Sequence, residues 1–180
     1  MARLSEEELV RAVIAGDKPA YGILYDRFAP IVRAVCHDYA RNLADAQDLA
    51  QDVFLRAYQR LGELRKPASF GPWIIGIARR RCLEWRRQTF RQQRRHETLQ
   101  VHQVGTERIA EHSEDGQLLK LVAALGEDER LALHAFYLRD KSAEEARRIM
   151  GLSRSGFYKL LDRTRTRLRQ QMEQHQENIQ

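Results

Sequence analysis

Apolar positions recur at the helical period through most of the chain, and caps and glycines mark the breaks between runs. Ser5-Glu-Glu-Glu8 has the spacing of a capping box and opens a short helix that stops at Gly16. Asp17 and Pro19 start a second run whose Tyr21, Leu24, Tyr25, Phe28, Ile31, Val32 and Val35 form one stripe. Pro30 is expected to kink or split it. After Asn42-Leu43, Asp45 is expected to cap a third helix through about Leu61, ended by Gly62. That helix buries Ala46, Leu49, Ala50, Val53, Ala57 and Leu61, and turns Asp48, Gln51, Asp52, Leu55, Arg56 and Gln59 outward.

The segment 62–69 leads into a fourth helix that starts at Phe70. Phe70, Trp73, Ile74, Ile77, Ala78, Cys82 and Trp85 share its apolar arc, so both tryptophans are expected in the core. Arg79, Arg80, Arg86 and Arg87 lie on the other side. Arg81 and Glu84 fall within the arc three residues apart, the spacing of an ion pair. Over 79–95 eight arginines face one glutamate, a net +7, while the whole chain carries +6. A helix this basic on one side and this aromatic on the other can hold a polyanion, with phosphates giving affinity and rings giving bases a surface to stack on.

Beyond residue 88 apolar residues thin out. The basic helix is expected to continue briefly, giving way to a polar linker over 98–117 that separates a first domain, 1–97, from a second, 118–180. The second holds helices over 118–125 and 127–138 and then a tight pair. Ser142 caps the first of the pair, with Glu145 three residues on, and Gly151 closes it; Ser153 caps the second, from Arg154 to at least Arg169. Cap, short helix, glycine turn, second cap and second helix is the helix-turn-helix plan. The last helix buries Phe157, Leu161 and Leu168, and six basic residues against one acidic give 153–169 a net +5. The amide-rich tail 170–180 is expected to fray.

The fold class is therefore all-α, in two small helical domains joined by a polar linker. With only 10 Gly and 4 Pro in 180 residues, long helices are favoured over a sheet with many turns. A sequence pI near 9.6 points to nucleic acid or another acidic surface. Cys36 and Cys82 sit singly inside helical patterns and read as reduced core residues of a cytoplasmic protein. No Cys/His pair has zinc-ligand spacing, and the longest apolar run, Trp73–Ala78, is far too short for a bilayer. Nothing at the start has the pattern of a secretion signal.

Three stretches together carry a resemblance: DAQDLAQDVFLRAY, then FGPWIIGIARRRCLEW, then the run from LVAALGEDERLAL to LSRSGFYKLLDRTRTRLR. The chain resembles a bacterial sigma factor of the small extracytoplasmic-function type, over about 20–88 and 118–169. The resemblance implies a non-enzymatic protein without a cofactor that binds core RNA polymerase, places it on promoter DNA and helps open the duplex. It allows an anti-sigma factor as a further partner. Asp48, Gln51 and Asp52, with Leu55 beside them, match the face that docks on a coiled coil of the polymerase's largest subunit. Segment 62–69 and the helix from Phe70 match the part that captures −10 bases, with Arg65, Lys66, Arg79, Arg80 and Arg87 lining the groove. Arg154, Ser155, Tyr158, Lys159, Asp162 and Arg163 match the part that meets the −35 element. There Lys or Arg would favour guanine and Asp would accept from cytosine. Arg165 and Arg167 are expected at phosphates or in solvent.

Two departures stand out. Arg80 replaces the asparagine usual in the family, and Arg154-Ser155-Gly156-Phe157-Tyr158 stands where relatives often read small-Gly-Thr-Val-Lys. Two other classes account for parts of the sequence. One is a helix-turn-helix regulator working without polymerase through an N-terminal sensing or dimerisation domain. The other is an enzyme using Asp45, Asp48 and Asp52 as a magnesium site, which lacks the base, nucleophile or phosphate loop such chemistry needs.

Overall fold

The computed structural model describes residues 4–97, 120–137 and 142–177, and every regular element among them is helical. The chain divides into two units, Met1–Glu107 and Arg108–Gln180. In the first, α1 (Glu6–Ile14), α2 (Lys18–Ala40), α3 (Leu43–Gln59) and α4 (Phe70–Glu97) pack around one core, with short 3-10 turns at Leu61–Glu63 and Pro67–Ser69. The capping box is present at α1: Ser5 Oγ accepts from the Glu8 amide at 3.2 Å, and Glu8 Oε2 accepts from the Ser5 amide at 2.7 Å.

Pro30 does not split α2, which runs unbroken from the Asp17 cap to Ala40. Pro30 is exposed, as is Asp26 four residues earlier, so the carbonyl deprived of its helical donor can turn to water. Asn42, not Asp45, caps α3: Asn42 Oδ1 accepts from the Asp45 amide at 2.8 Å. Asp45 is the third residue of the helix, and its Oδ2 accepts from Asn42 Nδ2 at 2.7 Å. Both residue types cap well, and the one that ends the extended segment takes the position. At the other end the helix stops at Gln59, and Gly62 lies within the 3-10 turn instead of closing it.

The core of this unit forms where the stripes of α2, α3 and α4 meet. Phe28 and Phe70 stack edge-to-face at 5.1 Å, and Leu24, Val32, Val53, Ile74 and Ala78 surround them, all buried. Phe54, absent from the expected core set, is buried against Tyr25 with ring centroids 4.5 Å apart. Tyr21 donates its hydroxyl hydrogen to the Phe54 carbonyl at 2.5 Å, and burial pushes its phenol pKa up. The two cysteines are free and buried, and they face each other across α2 and α4: Cys82 Sγ donates to Cys36 Sγ at 3.8 Å. That hydrogen bond and burial both push the Cys36 thiol pKa up, which keeps it protonated and unreactive.

In the second unit, helical backbone over 120–123 precedes α5 (Glu127–Tyr137), α6 (Ala143–Met150) and α7 (Arg154–Glu177). The expected linker and Leu138 lie outside the described residues. Ser142 Oγ accepts from the Glu145 amide at 3.3 Å. Gly151 closes α6 in the left-handed region (φ 67°), where the absence of a Cβ removes the penalty other residues carry. Ser153 Oγ then caps α7 by accepting from the Gly156 amide at 3.1 Å. Phe157 and Leu161 pack with Ile149, Ala146, Leu131 and Ala135 in the core, while Leu168 is only half-buried. Thr164 joins that core, its hydroxyl donating to the Leu160 carbonyl at 2.8 Å. The tail does not fray from residue 170. Its glutamines, methionine and glutamates are good helix formers, and α7 continues to Glu177.

Candidate docking and nucleic-acid interfaces

The outward face of α3 divides into two strips. Asp48, Gln51 and Leu55 are exposed, Leu55 at 56%, with Tyr58 and Gln59 beside them. Asp48 has no hydrogen-bond or ion-pair partner among the described residues. Asp52 does not share this face. Its side chain is 31% exposed and sits against α4, where Arg81 donates to Oδ2 and Arg56 to Oδ1 at 3.2 Å. Arg56 also reaches Glu84 Oε2 at 3.2 Å. Thus Arg81 and Glu84 do not pair within α4, as their spacing predicts; each pairs with the opposite charge on α3. Partial burial pushes the Asp52 carboxyl pKa up, but the Arg81 hydrogen bond and the charges of Arg56 and Arg81 outweigh it. The net position is below the ordinary aspartate value. Asp45, Asp48 and Asp52 therefore do not converge: one is bonded to Asn42, one to two arginines, and one faces solvent.

Beside this network, α3 and α4 enclose an open groove of about 290 Å³. Pro72, Trp73, Gly76 and Ile77 form its apolar wall, and Arg56, Arg60, Arg80 and Arg81 its cationic rim. Trp73 is half-buried, not core, and tilts against Phe70 at 5.9 Å; Trp85 is half-buried too and does not line the groove. A Cβ on Gly76 would meet no atom within 4 Å, so the groove is open at that point. Of the expected −10 residues, Arg80 lines the groove and Arg87 is exposed two turns further along the same strip of α4. Arg79 is partly buried on a different flank, and Arg65 and Lys66 are exposed between the two 3-10 turns. Sequence reasoning missed Arg56 and Arg60 as groove residues, because their contribution depends on α3 packing against α4.

On α7, Arg154, Ser155, Tyr158, Lys159 and Asp162 are exposed opposite the buried Phe157–Leu161–Thr164 strip. Arg163 lies at the flank of this surface. Its Nε is 3.6 Å from Glu129 Oε1, though its side chain remains 71% exposed. Arg167 is neither at a phosphate position nor loose in solvent: its Nη1 donates to Glu129 Oε2 at 3.0 Å. Arg165 lies over the Phe136 ring at 5.2 Å. Glu129 is buried and also accepts from the Gly126 amide at 2.8 Å, which ties the start of α5 to the middle of α7.

A helical unit with an acidic-apolar face and a cationic groove, and a second unit carrying a helix-turn-helix, make up an all-α protein of two helical units. Residues 24–94 match the family model of sigma-70 region 2. A probable RNA polymerase sigma factor, RfaY, of Xanthomonas campestris is 30% identical over 171 residues, covering 88% of this chain and 42% of that protein. The extracytoplasmic-function sigma factor BldN of Streptomyces coelicolor is 29% identical over 150 residues, covering 80% and 57%. The chain thus spans about half the length of these relatives. The solved structure of CnrH in complex with the cytosolic domain of CnrY superposes with a TM-score of 0.63 at 18% identity, covering 93% of this chain and 97% of that one. That likeness shows the shared all-helical fold. Residues 24–94 thus match a sigma-70 region 2 domain, and along most of its length the chain is similar to sigma factors, one of them of the extracytoplasmic-function group.

Proposed function

We propose that this protein is an alternative sigma factor that binds core RNA polymerase, directs it to particular promoters and assists DNA opening, with no catalytic site or cofactor of its own. The reading is carried by one observation: a single helical unit that matches region 2 presents an exposed acidic-apolar strip on α3 and, one helix away, a cationic groove walled by a tryptophan. Asp48, Gln51 and Leu55 form a strip suited to a basic helical partner, the coiled coil of the polymerase's largest subunit. Asp52 supports that strip from behind by fixing α4 against α3. Arg80, Arg87, Arg65 and Lys66 offer cations to the −10 strand, and α7 offers Arg154, Ser155, Tyr158, Lys159, Asp162 and the flanking Arg163 to the −35 duplex. The work divides between a polymerase-binding and −10 domain over 1–97 and a −35 domain over 118–180, joined by the segment 98–117.

No described helix is long and apolar enough to cross a membrane. We place the protein in the cytoplasm, where its polymerase partner is, with an anti-sigma factor as the further partner that controls it. A regulator acting without polymerase accounts for the helix-turn-helix and leaves the region 2 match without a role. The test is direct: the purified chain should co-elute with core polymerase and support run-off transcription from a genomic promoter library. Duplex binding without either would overturn the proposal.

A further inference from the structure

The groove beside Trp73 holds four guanidinium groups, and three of them are committed within the fold. Arg81 donates to Asp52, Arg56 is shared between Asp52 and Glu84, and Arg60 is paired with Glu63 at 2.7 Å. Arg80 is exposed and has no partner among the described residues, so it is the rim cation left to meet a ligand. The rest of the groove's lining, Pro72, Trp73, Gly76 and Ile77, is apolar and carries an indole. Its volume, about 290 Å³, lies at or below the range that holds drug-sized ligands and suits a single planar ring system. At Gly76 nothing intrudes.

We infer that this groove takes one guanine base from single-stranded DNA, stacked beside Trp73 and read by Arg80; the inference rests on the sigma-factor reading for its biological setting. The choice of base follows from the chemistry of the fork. A guanidinium offers only donors, two of them side by side. Guanine presents two adjacent acceptors, O6 and N7, along one edge. Between the two purines the edge decides, because adenine places an amino donor beside N7 that opposes the fork, and a single pyrimidine ring covers less of the apolar wall. A bidentate pair of this kind separates right from wrong base by about 5- to 150-fold. A phosphate would also bind Arg80, but it has no use for the Pro72–Trp73–Ile77 wall.

The full chain carrying Trp85→Phe leaves Trp73 as its one indole, so quenching of its fluorescence reports the groove directly. Short oligothymidines with one central guanine, adenine, 7-deazaguanine or abasic site are titrated in turn. Guanine should bind about 5- to 150-fold more tightly than adenine. 7-Deazaguanine, which keeps O6 and loses N7, should lose most of that advantage. Arg80→Ala should bring the guanine, adenine and 7-deazaguanine oligonucleotides to within about twofold of one another. Gly76→Leu should abolish the quench with unchanged circular dichroism, because its side chain enters open space and replaces a poor helix former. Equal affinity for guanine and the abasic site, a preference that survives Arg80→Ala, or no quench with any oligonucleotide would each overturn the inference. Run-off transcription with the same variants separates the two readings. Guanine preference without polymerase-dependent transcription sinks the sigma-factor reading alone, and transcription without base preference sinks this one alone.

Discussion

Asp48 and Asp52 are one helical turn apart on α3, yet the structure gives them different work, and paired substitutions expose the difference. Asp52→Ala removes the acceptor of two charge-assisted hydrogen bonds and leaves Arg81, whose side chain is only 17% exposed, facing α3 without its carboxylate. A partly buried charged donor left unsatisfied costs about 1–3 kcal/mol. For a unit of this size that corresponds to a fall in melting temperature of roughly 4–8 °C per kcal/mol. Asp48→Lys changes an exposed residue with no internal partner, and its effect on stability should stay within about 0.5 kcal/mol. It reverses the charge of the strip that would meet a basic helix, so affinity for core polymerase should fall at least about tenfold, or ~1.4 kcal/mol.

Both tryptophans lie in α4, so the thermal transition followed by tryptophan fluorescence reports the first unit without interference from the second. Polymerase affinity is measured on the same preparations by fluorescence anisotropy. Equal melting of Asp52→Ala and wild type would refute the bracing role. Melting of Asp48→Lys lowered as far as that of Asp52→Ala would refute the division of the two carboxylates. Undiminished polymerase binding by Asp48→Lys would refute the docking surface.

Three further predictions concern charged side chains of the two units. Partial burial raises the Asp52 carboxyl and the two arginines outweigh it, so its folded-state pKa is depressed and its contribution to stability is complete above the ordinary aspartate value of about 4. The melting difference between wild type and Asp52→Asn should therefore persist from pH 7 to 5 and shrink as pH falls below about 4 through the folded-state value; a difference independent of pH would contradict it. In the second unit, Arg167→Ala should lower stability by removing a bond to buried Glu129, with no change in preference among duplexes. Lys159→Ala should leave melting alone and relax preference at one base pair by about 1–3 kcal/mol; the reverse pattern in melting and duplex-selection assays would overturn both placements.

The helices, their apolar stripes and both serine caps of the helix-turn-helix were legible because each depends on neighbours within four residues. What the sequence hid depends on packing between helices. Four residues advance a helix by about 400°, so Asp52 stands some 40° round from Asp48, enough to carry it from the open face to the edge of α4. Arg81 and Glu84 offered a pair at the right local spacing, and nothing local reveals that their preferred partners lie 29 and 28 positions earlier, respectively. Glu129 follows Glu127 and Asp128 in a first turn where carboxylates are favourable anyway, so no sequence signal marks it as the buried one. Thr164 was the legible miss. It lies three residues after Leu161 and seven after Phe157, on the buried strip, and its hydroxyl is satisfied by the helix itself.

The basic charge that first singles out α4 is a poor measure of what a nucleic acid would meet, since folding consumes part of it. Arg81 is taken by Asp52, Arg86 lies over the Tyr39 ring at 6.0 Å, and Arg94 lies over Phe90 at 4.9 Å. On α7, Arg163 and Arg167 turn to Glu129 and Arg165 to Phe136. Among the described residues, Arg65, Lys66, Arg80, Arg87, Arg154 and Lys159, all assigned to promoter DNA by the family resemblance, show no side-chain partner; neither do Lys18, Arg41, Lys120 and Arg169, which it does not assign, while Arg163, which it does, turns to Glu129. The pairing pattern is independent of the resemblance and overlaps with it only in part. It also bounds the electrostatics. Each phosphate neutralised steepens the salt dependence of binding by about 0.9 in the logarithmic slope on duplex and about 0.7 on single strands. The slope should follow these uncommitted cations and not the net charge of the helices that carry them.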